Sequence, residues 1–205
     1  YILERKPLQY FLWVIIASLF HHSALMLAVF YFLPTQMCIA SKRKLMWLIF
    51  IPCFILGMTP QFASYVNQMQ SLASMTGYDN YSTIISEYLT GQRNEALSFG
   101  PIMLSFLLIA VAMIYFGPEL EENYKDRIVS FGLWYNLGFI FACAYFLVAN
   151  SGHLLIRPVQ YLEYFQMIMA SLLLYYLWEQ GYDSIKYRNL AIVFIIIIWT
   201  SISWD

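Results

Sequence analysis

The sequence predicts an all-α fold, a polytopic bundle of transmembrane helices of which several are short or broken. Of the 205 residues, 61% are hydrophobic and 11% charged, against about 25% charged in an ordinary soluble domain. A soluble domain of this size has too little interior to hide that much apolar surface. The apolar residues also fall into runs, at about 8–20, 23–37, 45–58, 99–116, 129–149, 159–178 and 189–204. Net charge is −1 and the eleven Lys/Arg residues are scattered apart from one short cluster, which argues against nucleic acid as a partner. The partner that the composition implies is the lipid bilayer.

Taken in order, the chain opens at Tyr1 with Ile2, Leu3, Glu4, Arg5 and Lys6. That stretch reads as the tail of an earlier span, so the expectation is a single membrane domain over 1–205 lacking its N-terminal part. The runs 8–20 and 23–37 pose an ambiguity, because 8–33 could also be one long helix interrupted only by His21, His22 and Ser23. A straight helix needs about 20 apolar residues to cross a ~30 Å hydrocarbon core, and neither run alone reaches that. Lys and Arg in short loops favour the cytoplasm. With 8–20 and 23–37 as a hairpin, Arg5, Lys6, Lys42, Arg43, Lys44, Lys125, Arg127, Lys186 and Arg188 fall on the inner side. Arg93 and Arg157 remain outside, a nine-to-two split of the eleven cations. One long span would give seven against four, so the hairpin is preferred. The segment 59–98 then becomes external, and 117–128 and 179–188 become charged inner connections. All three histidines, His21, His22 and His153, share the outer side with Arg93 and Arg157.

The stretch Asn150-Ser151-Gly152-His153-Leu154-Leu155-Ile156-Arg157-Pro158 precedes an apolar helix expected from Val159. Proline suits a first helical turn and disfavours α geometry before it. Arg157 would then stand ahead of a helix N-terminus, where free N–H groups and a bidentate guanidinium favour phosphate or carboxylate. The plainer reading has Arg157 reaching to the interface or pairing with lipid headgroups. Tyr161 and Tyr164 follow at three-residue spacing, so on a helix they share one face beside Arg157; interfacial tyrosines are equally common. Glu163 lies about one turn inside an apolar run, where an ionisable group is paired, neutral or functional.

His21 and His22 are adjacent, so on a helix they point about 100° apart and only one faces a given cavity. A histidine near neutral pKa suits proton abstraction from a hydroxyl nucleophile. The alternative is a polar turn in contact with solvent. The three cysteines, Cys38, Cys53 and Cys143, lack metal-site or disulfide spacing and read as small apolar packing residues. A zinc or iron site is poorly signalled by a His-His pair without a spaced carboxylate. Segment 59–98 interleaves Gln61, Asn67, Gln68, Gln70, Asn80 and Gln92 with Phe62, Tyr65, Tyr78, Tyr81 and Tyr88. Amides that bond hydroxyls beside aromatic faces suit a carbohydrate cleft. Arg93 is a second candidate for an anionic group, with Glu87 and Glu95 as alternative ion-pair partners.

Over Arg5-Lys6 and Phe11-Leu12-Trp13-Val14-Ile15-Ile16-Ala17-Ser18-Leu19-Phe20-His21-His22-Ser23-Ala24-Leu25, the chain resembles the EpsG family of Wzy-type exopolysaccharide polymerases. Its Ala-x-x-Phe-His motif followed by Ser-Ala-Leu puts the family histidine on His21 and leaves His22 at a variable position. A second similarity is Arg157-x-x-x-Tyr161 with Tyr164-Phe165. The resemblance implies a GT-C-like bundle and a membrane glycosyltransferase without nucleotide sugar, metal or other cofactor. The implied reaction is polymerisation of undecaprenyl-pyrophosphate-linked oligosaccharide repeat units into exopolysaccharide, capsule or O-antigen at the outer face of the bacterial plasma membrane. Chain-length regulator and flippase proteins are the implied protein partners. His21, His22 and Arg157 would be catalytic; Arg93, His153, Tyr161, Glu163 and Tyr164 would bind substrate. Two other classes fit the residues as well: a lipid-linked glycan flippase or transporter, for which broken helices and Glu163 are also suited, and a non-catalytic membrane component of a polysaccharide assembly. An acyltransferase with a histidine base stays open beside them.

Overall fold

The computed structural model describes residues 2, 4–20, 22–34, 37–62, 64–65, 100–150, 156, 159–182 and 184–202, of which 22, 23, 26 and 198–202 are described for backbone only. Every regular element among the described residues is helical. They are α1 (Pro7–Phe20), a 3₁₀ helix (His22–Phe32), α2 (Arg43–Met58), α3 (Pro101–Tyr124), α4 (Phe131–Val148), α5 (Glu163–Gln180) and α6 (Ile185–Ile202). Two of them, α3 and α4, are long and apolar enough to cross a membrane. The architecture is a helical membrane bundle.

The chain reverses between Phe20 and His22, so residues 8–33 are not one helix: α1 and the 3₁₀ helix pack on each other. The Tyr10 hydroxyl donates to the Leu27 carbonyl, and the Tyr10 and Phe11 rings both lie 5.3 Å from Tyr31. At the open end Arg5 adopts a positive φ of 51° and donates to the carbonyls of Tyr31 and Leu33, at 2.9 and 3.2 Å. One guanidinium thereby joins both legs. The return leg is wound tighter than an α-helix, a feature that periodicity alone does not distinguish. Its 11 residues rise about 22 Å at ~2.0 Å each, matching the ~21 Å of the 14 residues of α1. Both legs fall short of a ~30 Å core, and their outer surfaces are apolar: Leu8, Leu19, Phe20 and Phe32 are strongly exposed.

The remaining five helices share one core. Helix α3 touches α2, α4, α5 and α6, while α4 lies between α2 and α5. Met113, Ile114, Leu120, Phe131, Tyr135, Phe141, Phe146 and Leu173 are fully buried there. Aromatic edges lock the layers, with Phe106 4.9 Å from Tyr145 and Phe116, Tyr176 and Tyr187 meeting where α3, α5 and α6 converge. On the outside of α5, Tyr164 is exposed near its start and Tyr175 and Trp178 near its end. Amphipathic rings at both ends of an apolar helix fit the two interfaces of a bilayer.

One end of the bundle is tied by polar contacts that the sequence does not announce. The turn at 37–42 is clamped by Asn136, whose amide donates to the Met37 carbonyl at 2.6 Å and accepts from the Ile39 N–H at 3.1 Å. The Ser41 N–H donates to Glu121 at 2.9 Å. Arg43 donates to the Tyr115 carbonyl, pairs with Glu119 at 3.2 Å and stacks over the Tyr115 ring at 4.9 Å. These contacts account for a difference from the expected loop at 117–128. Helix α3 runs on through Gly117 and Pro118 to Tyr124, because its charged last turns hold the start of α2. Proline removes one internal bond, yet Glu119 and Glu121 gain partners outside the helix. Gly117 is required at the crossing, since a Cβ there would stand 2.6 Å from both the Ala40 carbonyl and the Tyr135 hydroxyl. Cys38 sits in the same turn, where burial foremost pushes its thiol up to about 11.

Candidate active site

At the opposite end of the bundle α2 and α4 finish and α3 and α5 begin. Helix α2 closes on Met58, and Thr59 caps it, its N–H and hydroxyl both donating to the Leu56 carbonyl at 3.0 and 2.6 Å. Asn150, just past α4, donates to the Gly57 carbonyl at 2.9 Å. This amide satisfies a carbonyl that a helix C-terminus leaves without an internal partner. It also fixes the point from which the chain departs toward His153 and Arg157.

Val159 and Gln160 are helical, as the apolar run predicts, but Tyr161 and Leu162 form a turn, with the Leu162 N–H donating to the Val159 carbonyl at 2.9 Å, before α5 starts at Glu163. This corrects the expectation that Tyr161 and Tyr164 stand on one helical face. Tyr161 lies half-buried in the turn, whereas Tyr164 projects from the first helical turn at 75% exposure. Glu163 occupies the first position of the helix and is half-buried. An ionisable group at this depth in an apolar run stands out beside the neighbouring Tyr164 and Phe165.

One turn deeper on the same face stands Gln166, with no exposed surface. Its Nε2 donates to the Phe106 carbonyl of α3 at 3.2 Å, while its Oε1 is buried without a partner among the described residues. Gly138 allows the approach, because a Cβ there would meet the Phe165 carbonyl at 3.2 Å and the Gln166 nitrogen at 3.3 Å. Gln166 was not singled out from sequence; the available signal was an amide spaced three residues from Glu163 within an apolar run. An orphaned buried carbonyl costs about 1–3 kcal/mol. Gln166→Met, which fills similar volume without polar atoms, is therefore expected to leave the thermal midpoint in detergent unchanged or raised. A fall of many degrees would mean that the amide has a partner which the bundle needs.

Of the other residues predicted for the site, Arg93, His153, Arg157 and His21 lie outside the described residues. His22 begins the 3₁₀ helix, and only its backbone is described. What is described is the entry of α5: Tyr161 in the turn before it, Glu163 and Tyr164 in its first turn, and Gln166 buried one turn on against the Phe106 carbonyl. The return leg that begins at His22 packs along α1 and, through Phe30 and Leu33, against the bundle core.

The family model of the EpsG family matches residues 1–204. The chain belongs to the EpsG family. The match spans both the hairpin and the five-helix bundle, so the two are parts of one family unit. No match is found among curated proteins or among solved structures. Membership makes this EpsG chain a membrane protein of polysaccharide biosynthesis with a polymerase-like, glycosyltransferase-like role. The free cysteines of this EpsG chain, Cys38, Cys53 and Cys143, form no disulfide.

Proposed function

We propose that this EpsG chain polymerises undecaprenyl-pyrophosphate-linked oligosaccharide repeat units into an exopolysaccharide, capsule or O-antigen at the outer face of the bacterial plasma membrane. The observation that carries the reading is the family match over residues 1–204. The nine-to-two charge split supports the orientation, with the histidines, Arg93 and Arg157 facing outward. In this reading the acceptor's sugar hydroxyl attacks the anomeric carbon of the donor glycan. A new glycosidic bond forms as the bond from that carbon to the pyrophosphate oxygen breaks. His21 takes the hydroxyl proton, with His22 as its neighbour at the turn. Arg157, assisted by Arg93, holds the pyrophosphate and offsets the charge that develops on it as it leaves. Tyr161, Tyr164, Glu163 and His153 order the glycan beside that pair.

The test is product formation. Purified protein in detergent, given lipid-linked repeat units alone, is expected to yield a ladder of longer glycans and release undecaprenyl pyrophosphate. A flippase would give no ladder, and dependence on an acyl donor would indicate an acyltransferase. In the same assay His21→Ala is expected to slow chain extension by about 10²–10⁴-fold, the usual worth of a positioned general base. His22→Ala is expected to be milder. Normal polymer from the variant lacking both histidines would reassign the chain to a non-catalytic role.

A further inference from the structure

The proposed chemistry uses none of the three cysteines, and two of them, Cys53 in α2 and Cys143 in α4, belong to neighbouring helices. They lie one turn back along each helix from the point where Gly57 meets Phe146 and Leu147, so the register of the two helices sets them across the contact from each other. Three features fix that contact. One turn beyond Cys53, a Cβ on Gly57 would stand 1.8 Å from the Phe146 carbonyl oxygen and 2.8 Å from the Leu147 Cα. The rings of Phe50 and Phe54, which flank Cys53 in sequence, pack on Phe146 at 5.6 and 5.3 Å. The Asn150 amide closes the end of the interface by bonding the Gly57 carbonyl. Helices held by backbone proximity, aromatic packing and a terminal hydrogen bond cannot slide past each other, so the thiols stay opposed. Bridging two cysteines requires this geometry, because pairs whose backbones stand more than about 7 Å apart cannot be joined without moving the chain.

We propose that Cys53 and Cys143 are a redox-modification site, a dithiol inside the bundle that oxidises to a disulfide stapling α2 to α4. In the step each sulfur loses its hydrogen and one S–S bond forms. The two electrons and two protons pass to a membrane-permeant two-electron oxidant, such as a quinone, which leaves as the quinol, or an azo reagent, which leaves as the hydrazine. Cys38 takes no part, being at the other end of α4 beside Gly132 and Glu121. The staple would join the helices that lead into 66–99 and 151–158, the two segments bearing Arg93, His153 and Arg157.

The measurement counts thiols on the full chain in detergent and needs no activity assay, so its result stands apart from the polymerase reading. Protein treated with the azo oxidant diamide is denatured, tagged with a maleimide-polyethylene glycol and compared with reduced protein on a gel. The oxidised monomer is expected to carry two fewer tags than the reduced one, with both restored by dithiothreitol. Cys38→Ser should lose the same two on oxidation, whereas Cys53→Ser and Cys143→Ser should lose none. An unchanged tag number in the wild type would overturn the proposal. So would a loss that appears only as a cross-linked dimer or that survives in Cys53→Ser.

Discussion

Alanine at Gly57 is expected to cost about 3 kcal/mol of stability, the upper part of the range for overpacking a close contact. The added Cβ would fall 1.8 Å from the Phe146 carbonyl oxygen and 2.7 Å from its carbon. These are backbone atoms, so no rotamer change relieves the clash and the ends of α2 and α4 must part. Parting them breaks the Asn150 bond to the Gly57 carbonyl and opens the Phe54–Phe146 ring contact. Gly138→Ala is the milder comparison, because its neighbours lie at 3.2 Å and beyond and it asks for a shift of a few tenths of an ångström where Gly57→Ala forces the helices apart. Thermal unfolding of both variants in one detergent measures the difference. If Gly57→Ala melts with wild type, the two helices do not approach as described.

At Arg157 the expected loss is in rate rather than in folding. Arg157→Ala should slow glycan extension by about 10²–10³-fold, the usual effect of removing one preorganised donor from a developing anion. Arg157→Lys is the sharper variant, because it keeps a charge but loses the planar fork that binds two oxygens of a phosphate at once. Most of the alanine loss is therefore expected to persist in lysine, with the thermal midpoint unchanged. Full-length polymer made at the wild-type rate by Arg157→Lys would remove the pyrophosphate role from this residue. The ladder assay on purified protein reads both variants directly.

The membrane bundle is legible in composition, because an 11% charged chain of this length has no soluble alternative. The hairpin fold is legible in charge, since Arg5 and Lys6 join Lys42, Arg43 and Lys44 on one side only when the chain turns back at the histidines. Its winding is not legible: Ala24, Leu25, Leu27 and Ala28 are as good in an α-helix as in a 3₁₀ helix. The run of α3 past 116 is not legible either, because the apolar residues stop there and Pro118 follows. A proline reads as a stop, and only the contacts of Glu119 with Arg43 and of Glu121 with Ser41, both far away in sequence, explain why α3 continues. The break before α5 escapes for a similar reason. The turn at Tyr161 and Leu162 rests on a single short backbone bond, while the apolar run passes through it without interruption. Glu163 stood out because its charge is conspicuous among apolar neighbours. Gln166 did not, although its burial is deeper.

The 3₁₀ winding of His22–Phe32 sets the height at which the return leg meets the end of α1. Wound as an α-helix, the same 11 residues would reach only about 16 Å at ~1.5 Å per residue. The turn would then sit some 5 Å lower than α1 delivers it, and Arg5 could no longer hold Tyr31 and Leu33 at the base while Phe20 met His22 at the top. Adding residues to the return leg would level it too, but at the expense of moving the basic cluster after it. Tight winding reconciles a short leg with the length of α1, so insertion or deletion of a single residue between Ala24 and Phe32 shifts the start of the return leg against the end of α1 while Arg5 holds its base.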